Sequence, residues 1–173
     1  EALRHREAQM SEIQENWGLV TKESVYFYRL TQWTMESLSG RSDIWPSNLR
    51  IATMSQMEDH VELLSGELYS ESGRAEDGCI EVLVSQDCMV KSNLLIGEVL
   101  ECKSLKDKDG SPMHLKIVGV FREAAGDDYW EIGNTTVDTS CMMRDDIFRE
   151  LFLEENIGMH NISCRYCYLF DYN

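Results

Sequence analysis

The sequence predicts an α+β domain, and three observations lead to that class. Segments with helical spacing of apolar residues and segments rich in β-branched or alternating apolar residues follow one another without strict alternation, which favours α+β over a doubly wound parallel sheet. The 173 residues include 43% hydrophobic and 27% charged side chains and only 2 prolines, the profile of a chain that folds around its own core. Between two apolar runs, Lys106-Asp107-Lys108-Asp109-Gly110 makes a polar turn ending in glycine, as β-hairpins do.

Taken in order, residues 1–17 carry Leu3, Met10, Ile13 and Trp17 on one narrow helical stripe, and Gly18 stops the helix. Such a stripe suits a stalk continuing from a membrane segment, and equally a helix packed on its own domain. Glu1 falls inside this helix, so the chain is expected to be part of something longer. Val25 to Tyr28, within Ser24–Leu30, is β-branched and aromatic and predicts a strand. Gly40, Ser42, Asp43 and Pro46 mark a loop, followed by a short strand over Leu49–Thr53. A helix is expected over Ser55–Leu64, with Ser55 and Glu58 at capping-box spacing and Gly66 closing it. Tyr69 to Asp77 is acidic and rich in Ser and Gly, an exposed connector. Next come a strand at Cys79–Val84, helical turns at Gln86–Lys91 opened by Ser85, Gly97 as punctuation, and the hairpin strands Glu98–Leu105 and His114–Phe121. Tyr129–Ile132 reads as a strand, and Ile162–Phe170 as the last one. Asp145–Glu154 reads as a helix burying Ile147, Phe148, Leu151 and Phe152.

Sixteen basic against 31 acidic residues give a net charge of −15, which repels phosphate backbones and excludes nucleic acid as a partner. The acidity serves solubility or recognition of a cationic ligand, and charge alone does not choose. Apolar runs such as Ile117-Val118-Gly119-Val120-Phe121 fall far short of the roughly 18 residues that span a bilayer. The N-terminus lacks the basic, apolar, small-residue order of a signal peptide.

Cys164 and Cys167 have metal-ligand spacing, with His160 four positions before Cys164. On a strand, however, residues three apart point to opposite faces, so the pair does not chelate. Cys79, Cys88, Cys102 and Cys141 complete six cysteines, expected mostly as reduced thiols that pack like small hydrophobes. His60 has Glu58, Asp59 and Glu62 nearby in sequence, while His5 and His114 have no matched nucleophile or carboxylate in the local sequence. Asp127-Asp128 and Asp145-Asp146 lack EF-hand spacing, and the second pair suits a helix N-terminus. No catalytic residue, metal or cofactor is assigned, and the chain is not read as an enzyme. Trp33 and Trp45 stand in the polar stretch as candidate ligand or partner contacts, with an ordinary satellite of the core as the alternative.

The segment Gly78 to Phe121, "GCIEVLVSQDCMVKSNLLIGEVLECKSLKDKDGSPMHLKIVGVF", resembles the periplasmic core domain of FtsX-like and MacB-like ABC transporter permeases. Such domains run strand, short helix, then a glycine before a hairpin whose second strand ends hydrophobic-glycine-hydrophobic. Ile80–Val84, Ser85–Lys91, Gly97 and Lys116–Phe121 occupy those places. "RIATMSQMEDHVELLSGELYS" upstream and "YCYLFDYN" at the end are similar to the flanking units of the family. The stretch from Thr31 to Asn48 matches nothing in it. The resemblance implies a two-lobed extracytoplasmic domain at the cell membrane: a stalk helix (1–18), a membrane-proximal mixed α/β lobe (19–77 and 140–173) and an inserted smaller β-rich lobe (78–139). It further implies that the domain sits between two transmembrane helices, with both chain ends on one side. The domain would bind or gate a lipid, lipoprotein or peptide substrate and pass conformational change to those helices. The implied partners are the protein's own transmembrane helices, a cytoplasmic ATPase subunit, a second permease copy or homologue, and a lipid or cationic peptide. The alternatives are a secreted metal-dependent hydrolase and a free-standing surface adhesion or scaffold module.

Overall fold

The computed structural model describes residues 2–18, 20–31, 33–43, 49–133, 135–154 and 161–171, and in the first helix the side chains from Ala8 onward. Helix α1 (Ala2–Trp17) leads into a mixed sheet of nine strands. These are β1 (Val20–Leu30), β2 (Glu36–Ser37), β3 (Arg50–Met54), β4 (Val61–Gly66), β5 (Ile80–Ser85), β6 (Val99–Lys106), β7 (Pro112–Glu123), β8 (Ser140–Met143) and β9 (Ile162–Asp171). Among the described residues there are three further α-helices, α2 (Gln86–Ser92), α3 (Asp128–Gly133) and α4 (Asp145–Arg149), the last running into a π-helical turn at Glu150–Glu154. The strand order is β2-β6-β7-β5-β8-β3-β1-β9, and β4 pairs with the far end of β7. Only β3/β8 and β5/β7 run parallel among these pairs. The expected α+β class is what the structure has.

Alternation along the strands divides the core between the two faces of the sheet. Tyr28, Leu30, Ile51, Ile80, Val82, Val84 and Leu115 point to one face, where α2, α4 and the π-helical turn cover them. Val25, Phe27, Ala52, Met54, Leu83 and Met142 point to the other, beneath α3 and a 3-10 turn at Met57–His60. All six positions of β5 are buried, as a central strand covered on both sides requires. Each fully buried Val, Leu, Ile or Phe contributes about 1.5–3 kcal/mol.

The segment that carries the family resemblance folds in the expected order. Ser85 caps α2, its Oγ accepting from the Cys88 N–H at 3.1 Å, and Asn93 ends the helix in the left-handed region at φ 53°. Gly97 turns the chain at φ 82°, and β6 and β7 form the antiparallel hairpin. Residues 78–139 supply β5, α2, β6, β7 and α3, and β5 joins the rest of the sheet through its antiparallel pairing with β8.

Two elements differ from the sequence reading. Ser55–Leu64 is no helix: the Ser55 hydroxyl accepts from the Tyr26 N–H at 3.1 Å and so does not cap. Gln56 adopts φ 57°, and one 3-10 turn gives way to β4. Tyr129–Ile132 is helical rather than extended. Asp127 Oδ1 accepts from the Tyr129 N–H at 2.9 Å, which opens α3. The aromatic tips then fix it from above, Tyr129 donating to Ser55 O and Trp130 Nε1 to His60 O, both at 2.7 Å. Tertiary bonds have overridden a local β preference.

Gly119 faces Gly66 in the β4/β7 ladder. A Cβ on Gly119 would lie 2.3 Å from Glu67 O, and one on Gly66 2.2 Å from Val118 O, so backbone rather than yielding side chains closes both sites. Gly119→Ala is expected to destabilise the fold by about 3 kcal/mol or more in urea denaturation. Gly126→Ala, with open space around its Cβ but a φ of 74°, should cost only about 1 kcal/mol.

Candidate functional site

The feature that distinguishes this domain is the way both ends of the chain are held. β1 and β9 pair antiparallel over their full lengths, from Val20 opposite Asp171 to Leu30 opposite Ile162, with one irregularity between Thr21 and Glu23. β3 pairs with β1 only at Phe27–Arg29, so the stretch from Val20 to Tyr26 and its partners form a two-stranded ribbon. At about 3.3 Å per residue the ribbon runs roughly 20 Å beyond the rest of the sheet. The C-terminal end of α1 joins this ribbon where β9 ends, through Gly18 at φ 61°. The Gln14 amide donates to Thr21 Oγ1 at 2.7 Å. α1 itself stands off the domain: Ile13 is 42% and Trp17 75% exposed. No described helix is long and apolar enough to cross a membrane.

The root of the ribbon is gripped from both sides. On one side α3 packs against β1 and β9, with Gly133 seated on Val25 and Met54 and the Cys167 thiol donating to Gly133 O at 3.8 Å. His60 secures that helix. Its Nδ1 lies 2.8 Å from Asp127 Oδ2, and its ring stacks on Tyr129 with centroids 3.9 Å apart.

On the other side α4 supplies a polar and aromatic clamp. Tyr26 donates to Asp145 Oδ2 at 2.5 Å, and Arg149 Nε donates to the same oxygen at 2.9 Å. The Arg149 guanidinium lies 4.7 Å from the Tyr26 ring centroid and 5.4 Å from that of Tyr28, a geometry worth about 0.5–2 kcal/mol per contact. Tyr28 in turn shares a 2.5 Å hydroxyl contact with Tyr166 of β9 and stacks on Phe148. Burial first, and then the Asp145 carboxylate, push the Tyr26 phenol up to about 12. The other carboxylate oxygen, Asp145 Oδ1, is buried without a hydrogen bond among the described residues. The ribbon and α4 are therefore joined through one carboxylate, one guanidinium and three tyrosines.

A cleft of about 570 Å3 lies elsewhere, where Gly66–Ser70 and Ile96–Gly97 flank β7. Leu68 and Ile96 form apolar walls, and Glu67, Glu76 and Glu81 outnumber Lys116. Lys116 is itself paired with Asp77 at 2.8 Å.

The residues singled out from sequence fall as follows. Trp33 is half-buried and packs against the core, while Trp45 and His160 lie outside the described residues. Cys164 packs toward the core of the α4 face and Cys167 reaches α3, so the strand turns them to opposite faces. None of the six cysteines is bridged. Burial raises the Cys88 thiol to about 12 and lifts that of Cys141 as well. Asp145 does more than face a helix dipole, and the clamp around it went unseen from sequence. The only local hint is the i, i+4 spacing of Asp145 and Arg149.

No family model and no curated protein sequence matches the chain. Among solved structures it is similar to a domain provisionally described as a permease protein from Porphyromonas gingivalis, at 15% identity and a TM-score of 0.45. That match covers 86% of this chain and 61% of the other.

The clamp makes stability depend on alkaline pH with a definite sign. The Tyr26 phenol ionises near 10 when unfolded and near 12 when folded, so its contribution is full below pH 10 and is lost as pH rises toward 12. For a partly exposed phenol the share is about 1 kcal/mol. In urea denaturation, the stability advantage of the parent over Tyr26→Phe should shrink by that amount between pH 9 and about pH 11.5. Buried Tyr69 and Tyr129, whose phenols are also raised, contribute equally to both proteins. An unchanged advantage would contradict the assignment.

Proposed function

We propose that this chain is the extracytoplasmic domain of an ABC transporter permease, a module that binds or gates a substrate and passes conformational change to transmembrane helices. The observation that carries the reading is the pairing of Val20 with Asp171. A domain inserted between two membrane helices must return both connections to one place, and here they leave side by side. α1 standing off the fold suits a stalk, and the strand, helix, glycine, hairpin order of Gly78 to Phe121 supports the family resemblance. The Tyr26–Asp145–Arg149 clamp gives a physical route by which displacement of the ribbon would reach the sheet.

The proposal includes two lobes, 19–77 with 140–173 and 78–139, which share one sheet through the β5/β8, β4/β7 and β2/β6 pairings. It also includes substrate handling at the acidic, apolar-walled cleft beside Gly66 and Gly97, which suits an amphipathic cation such as a basic peptide. An ATPase subunit on the cytoplasmic side and a second permease copy are the partners it calls for.

Exposed Lys91 and Lys103 permit a direct test in cells producing the full-length protein. A membrane-impermeant amine reagent should label both lysines in intact cells once any outer permeability barrier is opened, as read by mass spectrometry of their peptides. Labelling only after lysis of the inner membrane would place the domain on the wrong side and end the proposal.

A further inference from the structure

Glu81 of the central strand β5 is a buried carboxylate at the wall of an open cleft. Alternation along β5 turns Val82 and Val84 to the face covered by α2 and α4, and so turns Glu81 to the opposite face, where it is only 7% exposed. There it lines the cleft of about 570 Å3 between Gly66–Ser70 and Ile96–Gly97. The Ser70 N–H donates to Glu81 Oε2 at 2.6 Å and fixes the carboxylate, while Oε1 receives no hydrogen bond among the described residues.

A buried carboxylate is ordinarily paired with a cation and fully hydrogen-bonded. Glu98, buried to the same degree, follows that rule: it accepts from Ser37 Oγ, the Arg41 guanidinium and the Leu95 N–H. Glu81 forms no ion pair among the described residues, and neither do Glu67 and Glu76 at the rim. Lys116 stands opposite Glu81 in the β5/β7 ladder, yet its ammonium goes to Asp77 at 2.8 Å. Arg144, whose charge also reaches Glu81, is bound to Asp146. Two acidic side chains are thus buried alike, one saturated by the chain itself and one left with an oxygen and a charge at an open cleft.

We propose that this cleft binds a lysine side chain of a peptide with apolar residues on either side, its ammonium at Glu81 and its methylenes between Leu68, Ile96 and Val118. The volume lies within the range of about 300–1,000 Å3 typical of small-ligand sites, which gives room for a short peptide segment. Leu68 and Ile96 are exposed, so apolar area remains for the residues beside the lysine to cover. With Oε2 already engaged by Ser70, one oxygen remains for the ligand. That suits the compact charge of an ammonium over the two-pronged fork of a guanidinium. Glu67 and Glu76 keep the rim negative and disfavour acidic peptides. The inference rests on the substrate cleft proposed above and adds its occupant and its anchor.

The test is calorimetric titration of the 173-residue chain at constant ionic strength with acetyl-Leu-Lys-Leu-amide, alongside the same peptide carrying norleucine or arginine in place of lysine. Saturable binding of the lysine peptide is expected, with the norleucine peptide weaker by about tenfold or more and the arginine peptide weaker than the lysine one. Glu81→Gln keeps an acceptor for the Ser70 N–H and removes the charge. It should fold as the parent does by circular dichroism, lose about tenfold or more in affinity for the lysine peptide, and bind the norleucine peptide as before. If Glu81→Gln fails to fold, Leu68→Ser and Ile96→Ser at the exposed walls carry the comparison, each weakening the lysine and norleucine peptides alike. Absence of saturable binding, equal binding of the norleucine peptide, tighter binding of the arginine peptide, or undiminished binding in the variants overturns the site. Such a result removes the occupant of the cleft, whereas labelling of Lys91 and Lys103 only after lysis removes the permease reading, so the two failures are told apart.

Discussion

The antiparallel pairing of β1 with β9 is the constraint on which the rest of this structure depends. It joins the first and last strands of the chain, brings Val20 to Asp171, and so fixes where both ends leave the domain. A two-stranded ribbon is only marginally stable in isolation, and this one survives because its root is buried on both faces. Val25 and Phe27 sink beneath α3 on one side. Tyr26 and Tyr28 meet Phe148 and Arg149 on the other. The period of two along a strand lets one short segment satisfy both layers at once.

The two clamps differ in chemistry. The α3 side is knitted by rings whose polar tips reach backbone carbonyls, Tyr129 to Ser55 and Trp130 to His60. Removing Tyr129 would take the hydroxyl donor from Ser55 O and leave a cavity, while His60 O would keep the Ala124 N–H at 3.2 Å after loss of Trp130. The α4 side concentrates its bonds on Asp145, whose Oδ2 takes both Tyr26 and Arg149 while Oδ1 takes none among the described residues. A half-buried carboxylate with one oxygen unpartnered among the described residues, in the helix that runs into a π-helical turn, is a local departure from ideal packing, and such departures concentrate where proteins move or bind.

Most of the β5–α2–β6–β7 unit was legible in the sequence because its punctuation is local. Ser85 caps, Gly97 turns the chain, and Gly110 closes the hairpin at φ 81°. The last strand and the α4 face were legible through simple periodicity. Ser55–Leu64 misled because its helical signal depended on a serine that the fold uses 29 positions away on Tyr26. Tyr129–Ile132 misled because its aromatic residues favour strands until Asp127 and two distant carbonyls hold them in a helix. The clamp and the cleft at Glu81 were illegible for a related reason. Tyr26 and Asp145 are 119 residues apart, and Leu68, Glu81, Ile96 and Val118 meet only once β4, β5 and β7 are laid side by side. Strand order, which no local pattern encodes, creates both.

The central claim is that the ribbon and the sheet move as one body, joined at Tyr26, Asp145 and Arg149. Native-state hydrogen exchange of the β1 and β9 amides tests it most directly. If the claim holds, the amides at the root of the ribbon, from Tyr26 to Tyr28 and from Cys164 to Tyr166, open together, at free energies matching those of β5 within about 1 kcal/mol. In Arg149→Met they should lose protection as a group while β5 keeps its own. Independent exchange of β1 and β9, or full protection of both strands in that variant, would show that the chain ends are held by something other than this clamp.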